Sequence, residues 1–232
     1  MNPAELPEKR FKLYRELLKR YKVSFTPLTV RGHHLEILQV DDLEPLLAGK
    51  DPFKDVERFP FWVRLWEASL ALADLMASLP PKPGQTLLEL GAGLAAPGLA
   101  AAAAGYQVTL SDYEQYILNF QKVNAAANKV EDRVRHVLLD WLKPPADLPQ
   151  YDTIIGAEIL FRENFFEPLI TIFRQHLKPG GLIYLAHDVR RKSLPKFLIA
   201  AEKYFEVAVS KRTLRTEDKE LTIIVNRLTS RS

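Results

Sequence analysis

The spacing of apolar residues divides the chain into an N-terminal portion of mixed pattern and a long stretch of strand–helix alternation. Over residues 5–21, Leu6, Phe11, Leu13, Tyr14, Leu17, Leu18 and Tyr21 recur at mostly helical spacing with basic residues between them. Val23–Val30 and His34–Val40 read as two strands across an Arg31-Gly32-His33 turn, a hairpin. A polar, proline-containing stretch, Asp41–Pro60, then leads into a predicted helix over Trp62–Leu79, which Pro80, Pro81 and Pro83 terminate.

From residue 85 short apolar strands alternate with helices. Strands are predicted over Thr86–Leu90, Tyr106–Leu110, Val134–Leu139, Thr153–Ala157 and Leu182–Ala186. Helices are predicted over Leu94–Ala104, closed by Gly105, over Tyr113–Asn128, and over Phe165–Leu177, ended by Lys178-Pro179-Gly180-Gly181. Apolar strands without in–out alternation need cover on both faces, which implies a parallel sheet between helices. Tyr204–Ser210 and Leu221–Leu228, separated by the charged stretch Lys211–Glu220, predict an antiparallel pair added to that sheet.

Composition narrows the function. With 47% hydrophobic and 26% charged residues, the 232-residue chain has the make-up of a folded domain and not of a disordered one. There is no cysteine, which removes disulfides, a thiolate nucleophile and zinc sites built on Cys ligands. No cluster has metal-ligand spacing, so no metal is expected. No apolar run is long enough to span a bilayer and the N-terminus lacks a signal-peptide apolar segment, so the expectation is a soluble, cytoplasmic protein. Both chain ends are basic around an acidic middle; interspersed acids make these ends solvated faces or a surface for an acidic partner.

The chemistry concentrates in Leu87-Leu88-Glu89-Leu90-Gly91-Ala92-Gly93-Leu94-Ala95-Ala96-Pro97-Gly98. A strand runs into a glycine turn and then a helix, so backbone and unpaired helix N–H groups can approach a ligand closely. Asp112 follows the second strand, where a carboxylate accepts both hydroxyls of a ribose. The segment satisfies the loose dinucleotide pattern Gly-x-Gly-x-x-Gly/Ala, but Glu89 repels a pyrophosphate and suits a ligand carrying ammonium and sulfonium charge. S-adenosylmethionine is therefore favoured over a nicotinamide dinucleotide, and a bare structural turn remains the third reading. The third glycine of such loops is replaced by Ala95 or Ala96.

With these residues in place, the sequence resembles the class I, seven-β-strand, S-adenosylmethionine-dependent methyltransferases, and within them methyltransferase family 16, which includes many protein-lysine methyltransferases. The match covers about residues 30–190. It rests on Leu65-Trp66-Glu67-Ala68-Ser69, on Leu88-Glu89-Leu90-Gly91-Ala92-Gly93 with Pro97-Gly98, on Asp140-Trp141, and on Gly156-Ala157-Glu158-Ile159-Leu160-Phe161. The implied fold is α/β: a Rossmann-like seven-stranded sheet, mostly parallel with an antiparallel C-terminal strand pair and helices on both faces. An N-terminal helix and β-hairpin extension over 1–60 would precede a cofactor-binding domain over 61–232.

The resemblance also implies roles. Trp66 would cover the cofactor; Glu89, Gly91, Ala92 and Gly93 would line its methionine and ribose portion; Asp112 would hold the ribose hydroxyls. Asp140 would face the adenine amino group, Trp141 would pack on the ring, and Ala157 would give a backbone contact. Glu158 and Phe161 match the family's Asp/Glu-x-x-Tyr/Phe motif, where the methyl acceptor enters. Each has a plainer use: Trp66, Trp141 and Phe161 as core aromatics, Asp140 as a turn cap, Glu158 paired with Arg162 one helical turn on. His187 could be a base or substrate contact at a strand end, while His33 and His34 fall on the hairpin.

The implied partner is a protein substrate methylated on lysine, with no membrane contact and a monomeric enzyme. A small-molecule or nucleic-acid acceptor stays open, although Gly156–Phe161 lacks the Asn/Asp-Pro-Pro-Tyr/Phe motif of many amino-directed nucleic-acid methyltransferases. A non-catalytic cofactor-binding module is the reading from another class.

Overall fold

The computed structural model of the protein describes residues 1–42, 60–215 and 220–231. Helix α1 (Glu8–Leu18) leads into the hairpin β1 (Val23–Val30) and β2 (His33–Val40). The turn is one residue tighter than the sequence suggests. Arg31 and Gly32 take φ of 48° and 83°, so Val30 pairs directly with His33. Positive φ at both central residues matches the twist of the strands they join. Most of the predicted polar stretch after the hairpin, residues 43–59, lies outside the described residues.

The predicted helix over Trp62–Leu79 is instead a short 3-10 turn, Phe61–Val63, followed by α2 (Glu67–Ser78). Packing explains the break. Trp62 is buried, its ring 5.0 Å from that of Phe120 and 5.2 Å from that of Tyr116. The chain must then extend through Trp66 (φ −86°, ψ 149°) before the helix begins.

The main sheet comprises β3 (Thr86–Glu89), β4 (Gln107–Asp112), β5 (Val134–Leu138), β6 (Tyr151–Ala157), β7 (Leu177–Asp188), β8 (Phe205–Arg215) and β9 (Glu220–Ser230). Their order is β5-β4-β3-β6-β7-β9-β8. β3 to β7 run parallel, and β9 lies antiparallel between β7 and β8. The helices α3 (Ala96–Ala104), α4 (Gln115–Ala127), α5 (Phe166–His176) and α6 (Leu194–Ala201) complete the domain. Buried clusters on the two faces of the sheet give it the double cover its apolar strands require. Strand order reverses between β3 and β6, and such a reversal opens a crevice at the strands' carboxyl ends.

Three further elements differ from expectation. Lys178-Pro179-Gly180-Gly181 falls inside β7 as an irregularity, where pairing jumps from Tyr151–Leu177 to Thr153–Leu182. β8 extends to Arg215 through part of the charged stretch, because Lys211–Arg215 continue in register against β9. Helix α6 was not foreseen, although Leu194, Phe197 and Ala201 bury one face of it.

The hairpin is held to α4 by two asparagines. Asn128 accepts from the Glu36 N–H and donates to its carbonyl, both at 2.8 Å, while Asn124 accepts from the Leu38 N–H at 2.7 Å. These side chains stand in for a missing strand neighbour along β2.

Gly98, in the first turn of α3, sets how closely that helix lies on the sheet. A methyl group there would collide with the side chains of Leu110 and Glu89. Gly98→Ala is expected to destabilise the fold by about 1–3 kcal/mol through overpacking, which urea denaturation would measure.

Candidate active site

The carboxyl ends of β3, β4 and β6 face a cleft of about 520 Å³. Its wall includes Trp66, Glu89, Gly91, Ala92, Gly93, Asp112, Asp140, Trp141, Ala157, Glu158 and Phe161, every residue to which the family resemblance gave a role. The glycine turn forms its floor. Gly91 and Gly93 take φ of 59° and 52°, and Ala95 sits at 65° in the same left-handed region. The turn is thus made without a third glycine at that point. The close helix–strand approach such a glycine gives is supplied at Gly98.

Two buried carboxylates brace this turn. Asp112, the last residue of β4, accepts from the Gly93 N–H at 2.8 Å and from the Tyr113 N–H at 2.9 Å. Burial pushes its carboxyl up to about 6, against the pull of those two donors. Glu89 accepts from the Gly98 N–H at 2.8 Å. Burial pushes it up to about 8; the Gly98 donor opposes this and the Asp112 charge adds to it. A group so raised is held neutral near pH 7 until a cation arrives beside it.

Aromatic rings line the rest. A methyl at Gly91 would lie 3.2 Å from Cζ2 of Trp141 and 3.1 Å from Cγ2 of Ile159, so the bare glycine admits the indole against the turn. Trp141 meets Phe165 edge-on at 5.2 Å, and Phe161 meets Phe165 at 5.5 Å and Phe61 at 6.1 Å. The Trp66 indole N–H donates to the Phe61 carbonyl at 2.7 Å, and the two rings stand 5.7 Å apart. Phe61 and Phe165 were missed from sequence; they are ordinary apolar residues that only the fold brings to the cleft.

Asp140 is exposed, and its Oδ1 accepts from the Leu142 N–H at 2.9 Å, the turn-capping use. Ala157 ends β6, and Glu158 follows with a φ of 56°. Its N–H donates to the Ala186 carbonyl at 2.9 Å. Its Oε1 accepts from the Asp188 N–H at 2.6 Å, and its Oε2 takes two N–H groups of Arg191. The carboxylate of Glu158 pairs with Arg191 and not with Arg162. No helix runs through 158–161, so Arg162 is not one turn on, and its guanidinium lies over the rings of Phe161 and Phe165.

His187 does not line the cleft. It is fully buried, neither ring nitrogen has a hydrogen-bond partner among the described residues, and burial lowers it to about 3, with Arg191 adding to the effect. That removes it as a base in the cleft.

A family profile described as "Lysine methyltransferase" matches residues 62–204. The chain belongs to the lysine methyltransferase family. This lysine methyltransferase family member is an S-adenosylmethionine-dependent methyltransferase. Protein N-lysine methyltransferase METTL21A of Xenopus tropicalis is 27% identical over 195 residues, 82% of this chain and 83% of that one. EEF1A lysine methyltransferase 3 of Mus musculus is 33% identical over 129 residues, 55% of this chain and 56% of that one, so the alignment spans little more than half of that relative. The S-adenosylmethionine-dependent methyltransferase from Agrobacterium tumefaciens shares the fold with a TM-score of 0.62 at 18% identity, over 90% of this chain and 71% of that one. Among the described residues, no helix is long and apolar enough to cross a membrane.

The residues present fit the cofactor that this family implies. Two buried carboxylates and aromatic walls suit a ligand with a positive charge, ribose hydroxyls and a flat ring.

Proposed function

We propose that this enzyme methylates a lysine side chain of a protein, with the glycine turn, Glu89 and Asp112 holding S-adenosylmethionine and Glu158 and Phe161 receiving the acceptor. The supporting observation is that Glu158 and Phe161, from the connection after β6, wall the same cleft as the glycine turn. Bound there, the cofactor supplies a methyl group on a positively charged sulfur, open to in-line displacement by an amine.

In this reading Asp112 accepts from the ribose hydroxyls, Trp141 packs on the adenine and Asp140 faces its amino group. Glu89 lies beside the methionine end, Ala157 contributes backbone and Trp66 closes the cleft. Phe161, with Phe61 and Phe165, forms an apolar sleeve for the alkyl stem of lysine. A lysine amine starts from a pKa of about 10.4, and this apolar surround favours the neutral, nucleophilic form. Glu158 orients the nitrogen by hydrogen bonding.

Glu89 gives the cofactor site a pH signature. In the free protein its carboxyl is protonated below about 8, whereas a cationic ligand selects the ionised form. Cofactor binding near pH 7 is therefore expected to release a proton from this group, so affinity rises as pH climbs through the range below 8. Calorimetry in buffers of differing ionisation enthalpy counts that proton, and Glu89→Gln should abolish it.

The acceptor is tested by incubating the enzyme with methyl-labelled cofactor and total cell protein, then hydrolysing the labelled protein to amino acids. Label in methyl-lysine is the expected result. Label only in a soluble product or in nucleic acid would overturn the lysine reading.

A further inference from the structure

Arg191 carries no motif, yet it is the cation that meets Glu158 in the cleft wall. It lies in the connection between β7 and α6, 33 residues from its partner. Its Nε donates at 2.9 Å to the Glu158 Oε2 that also receives its Nη2, and Oε1 accepts from the Asp188 N–H at 2.6 Å. A carboxylate has about four lone-pair positions; these three donors leave one, on Oε1. The left-handed backbone of Glu158 and the two-pronged grip of Arg191 together fix where that lone pair points.

The charge balance matters as much as the aim. An unpaired carboxylate within a few ångströms of an amine favours its ammonium form, by about 1–3 pKa units. An ammonium has no lone pair with which to attack a methyl group. Glu158 alone would orient the acceptor and disarm it together.

We propose that Arg191 is a positioning residue for methyl transfer, cancelling the charge of Glu158 and fixing its free lone pair so that the acceptor amine is oriented without being held as an ammonium. This rests on the lysine reading above. The other charges nearby are already matched. Arg190 pairs with the Asp188 carboxylate, its Nη2 2.6 Å from Oδ2. Glu67 on α2 lies 3.4 Å from Arg64. His187 beneath is neutral, and Arg162 lies over Phe161 and Phe165.

Two measurements test the proposal. In the first, Arg191→Gln and Arg191→Lys are compared with wild type for methyl-lysine formation on total cell protein across pH. The rise of kcat at saturating cell protein, which reports the amine in the enzyme–acceptor complex, should move about one pH unit or more to the alkaline side in Arg191→Gln, and return most of the way in Arg191→Lys. A loss of the same factor at every pH, or no return in Arg191→Lys, would overturn the proposal.

The second uses n-butylamine as a lysine mimic, titrated at pH 7 into protein saturated with S-adenosylhomocysteine and followed by tryptophan fluorescence. Freed from Arg191, Glu158 should hold the ammonium about 10-fold more tightly in Arg191→Gln than in wild type. Equal or weaker binding overturns the proposal. This titration needs no identified acceptor. If wild type places no label on lysine, the lysine reading fails on the first measurement, while the titration still decides whether Arg191 cancels Glu158.

Discussion

Asp112→Ala is expected to weaken S-adenosylmethionine binding by about 100-fold or more. Two effects add. Hydrogen bonds from the ribose hydroxyls to a carboxylate contribute about 1.5–3 kcal/mol each, and both are lost. The Gly93 N–H, which Asp112 accepts at 2.8 Å in a buried setting, is also left without its partner, at a cost of about 1–3 kcal/mol. Because that donor sits in the turn itself, the substitution also loosens the floor of the cleft. Calorimetric titration with the cofactor and with its demethylated product measures the effect. Asp112→Asn retains one acceptor oxygen and should fall between the two. Undiminished binding in Asp112→Ala would remove the ribose contact from the cofactor site.

Glu158→Gln is expected to lower turnover by about 100-fold or more, in the range of a lost proton-handling or orienting group, with cofactor affinity within about twofold of wild type. The split follows from position. Glu158 stands after β6 and is braced by Asp188 and Arg191, whereas the groups that hold the turn come from β3 and β4. Steady-state kinetics with methyl-labelled cofactor, beside calorimetry on the same preparation, separates the two quantities. Equal losses of binding and turnover would place Glu158 in the cofactor site instead of on the acceptor side.

Spacing made readable those parts of the candidate site whose members lie close along the chain, while Trp66, Asp140, Trp141, Ala157, Glu158 and Phe161, far apart in sequence, were marked only by the family resemblance. Glu89, Gly91, Gly93 and Asp112 belong to one strand–turn–helix–strand run, so spacing alone places them together. Arg191 was not readable, because its meeting with Glu158 depends on the parallel pairing of β6 with β7 and on the path of the chain beyond. Phe61 and Phe165 carry no distinguishing residue type and reach the cleft from separate 3-10 turns. The start of α2 was misplaced since Trp62 and Val63 continue the helical period while packing elsewhere. Helix α6 was hidden because its eight residues follow the charged run Arg190-Arg191-Lys192. Strand and helix alternation survived these errors, since nearly continuous apolar strands leave few ways to be buried.

The position of β9 between β7 and β8 also bears on how the enzyme is made. The outermost strand of this flank is synthesised before the strand that must lie inside it. A nascent chain that has emerged only to residue 215 leaves Ile183–Asp188 of β7 without their partners, and β8 has nothing to pair with. Such an open edge is a template for joining other chains. It stays open until residues 220–230 arrive and fill the gap. The side of the cleft built on Asp188 and Arg191 is therefore the last to take shape during translation, and a ribosome stalled just short of it yields an adhesive fragment instead of a slow enzyme.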